Sequence, residues 1–590
     1  MSTLAISTTV TSSRRRVVNV RQRSLTMAKA RVLILLALFA LVTFAAMSRI
    51  VWLGLFSDGY RQFSLTDALT PRRGEIVDRN GEVIARDFSA YALWYKPDEM
   101  ENGPSLVHSR EHVARELVKI FPDLSYREVL AKLGTSKKGV HLRERILPEE
   151  ANRVHALGEP AIQVPREPDR IYPQGSMAAH VLGYVDQDEG GKVGMESYFD
   201  EYLTSEQTRA QPAMLSIDVR AQGALEDELG WGMAMSNAKG AAGVILDVDT
   251  GEVLALASLP AFNPNKVTPG DLQVSKQAAD RGETPNAFNR VTNQVYELGS
   301  TFKPITVAAA LDAGTVRDLG ARYSTAPIKV GPHTIKDSHA MPGSLNVPEV
   351  LIHSSNTGTA RIADELGNQR MKRAMQALGM NERPYIELPA RGFPLWPKDE
   401  VKDGWSQATT MTVSFGHGIA VTPLHLASAY AALVNGGVWR PATLRKLKAS
   451  EVPKGRRVFK AATSARIRQM LRMIVAYGTG KRANAPGFRV GGKTGSAEKP
   501  GVGGYRRSTL VSTFAAAFPM DRPRYVVIAM LDEPKGTAAT SGQRTASWNA
   551  APVVGRVVPR IGPILGIKPD ETRDVDISDL KPLIPVESSR

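Results

Sequence analysis

Cysteine is absent from this chain of 590 residues. That excludes disulfides, thiolate nucleophiles and cysteine-ligated metals, while leaving the redox compartment open. Acidic residues are missing from the N-terminus, where the first is Asp58. Before it come Arg14, Arg15, Arg16, Arg21, Arg23, Lys29 and Arg31. Past this arm no long Lys/Arg block occurs, so the net charge of +16 is not read as nucleic-acid binding. Internal repeats and low-complexity tracts are also missing. The length and a hydrophobic content of 43% allow several cores, and two to four domains.

Long apolar runs are scarce too, with one exception. Val32 to Met47 is uninterrupted, and after Ser48 and Arg49 the sequence resumes as "IVWLGLF" to Phe56. Sixteen residues are short for a bilayer, which needs about 20, but the whole of 32–56 is long enough. Arg49 near its end can snorkel toward head groups. A cleaved signal peptide would end near "TFAAM"; apolar continuation beyond that point favours an uncleaved anchor. The basic flank then stays cytoplasmic, and everything after Phe56 is exported.

Asn80-Gly81 in "RRGEIVDRNGEVIARD" and Asp249-Thr250-Gly251 in "AAGVILDVDTGEVLALASLP" each sit between apolar stretches, which predicts two hairpins. Residues 108–156 read as helical and polar, with Val113, Leu117, Ile120 and Phe121 at helical spacing. Helices are also expected over Lys303–Asp312 and Thr422–Val434, and strands in "GFRVGGKT", "STLVSTFAAAFP" and "RYVVIAMLDEP". From Gly562 onward proline and charge rise together, predicting a weakly packed tail. The expected organisation is a cytoplasmic arm (1–31), a transmembrane helix (32–56), a β-rich pedestal (57–225), a larger α+β domain (226–562) and a tail (563–590).

Two motifs mislead. "GFRVGGKT" fits the G-x-x-x-x-G-K-T phosphate loop, and "YVVIAMLDEP" could supply the acidic strand of an ATPase. A phosphate loop must open a helix, yet Gly495, Pro500, Gly501, Gly503 and Gly504 follow Thr494 at once. "HSREH" fits an inverted zinc motif through His108 and His112, but no clear third ligand is near, and the polar side of an amphipathic helix explains it. No metal is expected.

A serine acyl-transfer set fits better. S-x-x-K occurs at Ser236, Ser300, Ser496 and Ser578, so context must discriminate. Only Ser300 precedes an apolar helical run, with Pro304 in its first turn. Lys303 then shares its helix face, within hydrogen-bond reach, and can take its proton. Ser354 and Asn356 in "LIHSSNTGTARIADEL" sit at a second helix start, where a hydroxyl relays a proton and an amide orients lysine and substrate. Residues of these types there are otherwise ordinary caps. K-T-G occurs once, at Lys493, Thr494 and Gly495, on an expected strand. Gly495 lets a substrate backbone approach, and Thr494, Ser496 and the Lys493 ammonium can hold a carboxylate.

With these motifs in order, the chain resembles the class B penicillin-binding proteins, membrane-anchored D,D-transpeptidases of bacterial wall synthesis. "RGEIVDRNG", "RIYPQGSMAAHVLGYV", "GKVGMESYFD", "DVDTGEVLALASLPAFNPN" and "VSFGHGIAVTPLHLASAYAALVNGG" carry the likeness from Arg72 to about Pro559. The resemblance implies an α+β transpeptidase domain, an antiparallel sheet with helices on both faces, standing on the pedestal. It implies Ser300 as the acylated nucleophile, Lys303 as its base, Ser354 and Asn356 as the second element, and Lys493, Thr494, Gly495 and Ser496 as the substrate-holding strand. Ser496 stands where the family usually has threonine, keeping the hydroxyl without the methyl. Oxyanion donors would be backbone N–H groups at Ser300 and on the Ser496 strand. Peptidoglycan stem peptides are the implied substrate, β-lactams the implied inhibitors, and no cofactor is implied. "SSN" resembles the division enzyme more than the elongation one. That implies septal work beside divisome proteins and a polytopic glycan-polymerising partner, since no glycosyltransferase motif is seen. A β-lactamase or β-lactam sensor, a non-catalytic scaffold and a D,D-carboxypeptidase share the motifs. The long 72–222 module argues against the β-lactamase and the sensor, a scaffold would form no covalent adduct, and water or an amine can serve as acceptor depending on cleft shape.

Overall fold

The computed structural model describes residues 20–56, 72–97, 106–135, 139–186, 190–331, 333–401, 404–501 and 504–584. The arm's residues 1–19, the pedestal's first residues 57–71 and the tail's last residues 585–590 lie outside these. Two units separate, Met1–Thr70 and Pro71–Arg590.

In the first unit, α1 (Val20–Phe56) is one continuous helix. Its apolar span is Leu25–Arg49, 25 residues of mean hydropathy 2.4. That is long and apolar enough to cross a membrane. The span begins before the expected Val32, because Leu25, Met27 and Ala28 carry apolar character past Lys29 and Arg31.

The second unit starts with the expected hairpin. β1 (Ile76–Val77) pairs antiparallel with β2 (Val83–Tyr95) across a turn where Gly81 takes φ +92°. Next come α2 (Arg110–Ile120), α3 (Tyr126–Leu133), β3 (Val140–Ile146) and α4 (Pro148–His155). β2 is the hub, pairing with β3, β4 (Ile162–Gln163) and β5 (Arg166–Ile171). β1 also pairs in parallel with β6 (Ala213–Met214), completing a six-stranded sheet. The uninterrupted helical reading of 108–156 is therefore corrected. Helix α2 buries Val113, Leu117 and Ile120 as its spacing predicts. The segment from Val140 pairs with β2 instead, a long-range partnership that overrides local polarity. His108 precedes the Ser109 cap, outside the helix, with its Nδ1 2.8 Å from Glu159 Oε1 and its ring centroid 5.0 Å from that of His112, and no group of three ligating side chains forms there among the described residues.

A buried charge network ties the pedestal together. Glu196, fully buried, accepts from Arg73 Nε and Arg170 Nε at 2.8 Å each and from the Tyr172 hydroxyl at 3.2 Å. Arg170 also reaches Asp87 at 3.1 Å. Arg73, Arg170 with Tyr172, and Glu196 come from "RRGEIVD", "REPDRIY" and "GMESYFD", and Asp87 from β2, so the network joins four stretches of the chain.

The larger domain opens with α5 (Val219–Ser236), capped by Asp218. The expected boundary at 225 falls inside this helix, which packs as one piece on the sheet. β7 (Gly240–Asp247) and β8 (Val253–Leu259) form the second predicted hairpin. Helices α6 (Lys303–Ala313), α7 (Asn356–Leu366), α8 (Pro423–Val434) and α9 (Ala461–Tyr477) follow, the first and third where expected. β9 (Gly491–Gly501), β10 (Gly504–Phe518) and β11 (Tyr525–Asp532) precede α10 (Ala550–Ile564). Strand order is β8-β7-β11-β10-β9, antiparallel throughout.

β7 and β11 are buried at every position, and their alternation decides what covers each face. Ile245, Val527, Ala529 and Leu531 face the cluster with Leu225, Leu229, Val554 and Val557 of α5 and α10. Val244, Leu246, Val526 and Ile528 face the cluster with Ile305, Leu426, Tyr430 and Leu471 of α6, α8 and α9. The fold class thus agrees with expectation: an antiparallel sheet covered on both sides. β9 is the edge strand, which leaves one side of its backbone for other partners.

Beyond α10 the chain is better packed than its composition suggests. Leu580 is 2% exposed, Val575, Ile577 and Leu583 rest against the main core, and Arg472 holds Asp574 at 2.8 Å. Asp574 and Asp579 of this segment meet Arg472 and Arg466 of α9.

Candidate active site

Ser300 lies in a 3₁₀ turn, Gly299–Phe302, that runs directly into α6, with Pro304 in the helix's first turn. Proline costs nothing there, since that N–H has no intrahelical partner. The turn is clamped from behind by Tyr430, whose buried hydroxyl donates to the Thr301 carbonyl at 2.8 Å. On its other side runs β9. A Cβ on Gly495 would stand 2.3 Å from the Leu298 carbonyl oxygen and 2.8 Å from Thr301 Cγ2, so only glycine allows this approach. The Ser496 carbonyl lies 3.0 Å from where a Gly299 Cβ would be. It therefore faces the serine turn rather than β10, and the Ser496 N–H points the same way, as both groups of a strand residue do.

Lys303, in the first turn of α6, is fully buried. Its Nζ donates to Asn356 Oδ1 at 2.8 Å, lies 3.1 Å from Ser354 Oγ, and also contacts the Ser354 carbonyl. Lys493, equally buried, points from β9 to the same hydroxyl at 2.9 Å, with the Thr494 carbonyl at 3.0 Å. Ser354 has φ +61°, a left-handed conformation that costs a serine energy and turns its hydroxyl between the two lysines. The expected direct hydrogen bond from Ser300 to Lys303 is not formed: among the described residues none bonds the Ser300 hydroxyl, and the lysine is spent on Ser354 and Asn356.

Burial disfavours both ammonium groups. It holds Lys303 well below the usual lysine range, and the Lys493 charge pushes further the same way, opposed by Asp337. Burial alone brings Lys493 down to about 7.

Two contributors carried no sequence signal. Asp337 accepts from Asn356 N, Thr357 N (3.2 Å), Thr357 Oγ1 (2.6 Å) and Ser355 Oγ (3.0 Å). It anchors the start of α7, whose N-cap is Ser355 rather than Ser354. Thr479 places its hydroxyl 2.9 Å from that of Thr494. Ser496 Oγ accepts from Ala546 N at 3.0 Å and keeps its own proton to donate. As for the phosphate-loop reading, the strand runs on through Gly501 and no helix opens after Thr494.

The penicillin-binding protein transpeptidase domain matches residues 241–554, and the penicillin-binding protein dimerisation domain matches 68–216. The chain belongs to the penicillin-binding protein transpeptidase family. A probable peptidoglycan D,D-transpeptidase FtsI of Caulobacter vibrioides is 38% identical over 527 residues, 88% of this chain and 85% of that one. Peptidoglycan D,D-transpeptidase FtsI of Escherichia coli K12 is 29% identical over 556 residues, 89% and 90% of the two chains. Among solved structures, penicillin-binding protein 3 of Mycobacterium tuberculosis, in complex with aztreonam, aligns with a TM-score of 0.62 at 25% identity, over 85% of this chain and 98% of that one. In family terms, the 68–216 match covers the pedestal sheet, and the 241–554 match contains Ser300, Lys303, Ser354, Asn356 and the Lys493–Ser496 strand.

Proposed function

We propose that the chain is a serine peptidoglycan D,D-transpeptidase that crosslinks septal wall and is acylated by β-lactams. The observation that carries this reading is one hydroxyl, Ser354 Oγ, held between two buried lysines beside the Ser300 turn. Ser300 Oγ attacks the carbonyl carbon of the penultimate D-alanine and its proton passes to neutral Lys303. The oxyanion accepts from the backbone N–H groups of Ser300 and Ser496, donors held by the turn and by β9. As the C–N bond breaks, the proton returns through Ser354 to the departing D-alanine nitrogen, leaving an ester on Ser300. Thr494, Ser496 and Lys493 hold the terminal carboxylate, which a β-lactam imitates. An amine of a neighbouring stem then attacks the ester, yields its proton to Lys303, and forms the crosslink as Ser300 leaves and is reprotonated.

The apolar helix anchors the protein in the inner membrane by a single pass, with the arm in the cytoplasm and the active site in the periplasm; the basic flank supports that orientation. The "SSN" triplet, which resembles the division enzyme, supports septal work, in company with divisome proteins and a polytopic membrane glycan polymerase. No cofactor is called for in any step. The test is to acylate the full chain with fluorescent penicillin and map the adduct. Label on Ser300 is expected; label on any other residue overturns the assignment.

A further inference from the structure

Away from Ser300, a cleft of about 970 Å³ opens where pedestal and catalytic domain meet. That is near the top of the range of about 300–1,000 Å³ for small-ligand sites, with room for more than one sugar ring. Backbone of the two domains pairs beside it: Lys446 N donates to the Met214 carbonyl at 3.3 Å, and Ser216 N to the Leu444 carbonyl at 2.8 Å. One wall carries Tyr198, Phe199 and Tyr202, with successive ring centroids 4.9 and 5.9 Å apart. Tyr198 is 45% exposed, a large aromatic with an open face.

The lining segment from the catalytic domain carries more positive than negative charge: Arg445, Lys446 and Lys448 against Glu451. Lys446 Nζ reaches the Arg79 carbonyl, and Arg445 meets Glu451 only at 4.0 Å. Glu201 and Gln207 supply exposed acceptors and donors at the mouth. Flat rings alternating with hydrogen-bonding side chains suit a saccharide, whose C–H faces stack on aromatics while its hydroxyls seek polar partners. An apolar ligand would leave the charged segment desolvated and unpaired. Its positive excess asks for carboxylates on the same ligand.

We propose that this cleft binds an N-acetylated glycan strand bearing acidic stem peptides, with Tyr198 and Tyr202 stacking on sugars and Arg445 and Lys448 meeting stem carboxylates. The inference rests on the transpeptidase reading, whose substrate has this chemistry. A strand seated here would touch both domains at their shared backbone pairing.

The test uses the full chain in detergent, acylated beforehand with fluorescent penicillin so that the serine site is closed. Binding is measured to soluble uncrosslinked peptidoglycan strands, to the same strands stripped of stems, and to free stem peptide. Strands with stems should bind. Tyr198→Ala should weaken them about tenfold, and Lys448→Glu should weaken stem-bearing strands while sparing stripped ones. No binding by the acylated protein, equal binding by Tyr198→Ala, or free stem peptide binding as tightly as strands would overturn the proposal. Absent labelling at Ser300 sinks the transpeptidase reading instead, so the two failures are distinguishable.

Discussion

Lys303 and Lys493 converge on one oxygen: Ser354 Oγ lies 3.1 Å from the first ammonium nitrogen and 2.9 Å from the second. Two cations cannot share that space without water. The site is therefore built to keep at least one of them neutral, and a neutral lysine is a base.

Lys493 should cost stability while serving function. Its proton affinity is depressed to about 7 in the folded state, against 10.5 for the ordinary group. Between those values the unfolded chain binds more protons, so this lysine's contribution makes stability rise with pH from about 7 upward; below 7 the penalty is constant. At about 1.4 kcal/mol per pKa unit the penalty near neutrality is several kcal/mol. Lys493→Met should melt a few degrees higher at pH 7, with the gap closing toward pH 10 in thermal scans, yet acylate at least about 100-fold more slowly.

Asp337→Asn should loosen the Ser354–Asn356 turn. Four donors converge on this carboxylate, so the loss should be about 1–3 kcal/mol, with acylation at least about tenfold slower. Asp337 also holds the Lys303 proton affinity up. Hence the acid limb of the acylation pH profile should move to lower pH in the variant, although the rate falls. A shift to higher pH would show that Asp337 acts on Lys303 in some other way.

Gly495→Ala should block acylation with the sheet intact. The new methyl would stand 2.3 Å from the Leu298 carbonyl oxygen and push β9 off the serine turn. Penicillin labelling should drop at least about 100-fold, a misplacement effect, with circular dichroism unchanged.

Glu196→Ala should damage the pedestal without touching the chemistry. Removing one partner of a buried charge network costs about 3–5 kcal/mol, here leaving Arg73 and Arg170 facing each other. Proteolysis should open the pedestal early, while Ser300 still labels below the melting point.

The candidate site residues stand out in the sequence because each carries local context: Ser300 before an apolar helix, Lys493 in a glycine-containing strand. Their meeting was not. Asp337 enters the site from a loop with no spacing relation to any motif, and Thr479 reaches Thr494 only because α9 ends beside β9. The left-handed Ser354 is equally silent in a sequence that reads as an ordinary cap, a role Ser355 fills. β3 was missed for a similar reason: its partner strand is distant, and its burial is irregular around Arg145, at φ +51°. Both hairpins, by contrast, are written in two adjoining runs and a glycine, so local patterning sufficed.

The proposed mechanism requires Lys303 to be an amine rather than an ammonium at working pH. Its protonation can be read directly by heteronuclear NMR of the full chain labelled at lysine Cε, titrated through pH 5–10 and assigned with Lys303→Arg. The Lys303 resonance should already have the neutral shift at pH 7, while Lys493 is near its midpoint. A Lys303 signal that stays cationic to pH 9 would contradict the mechanism.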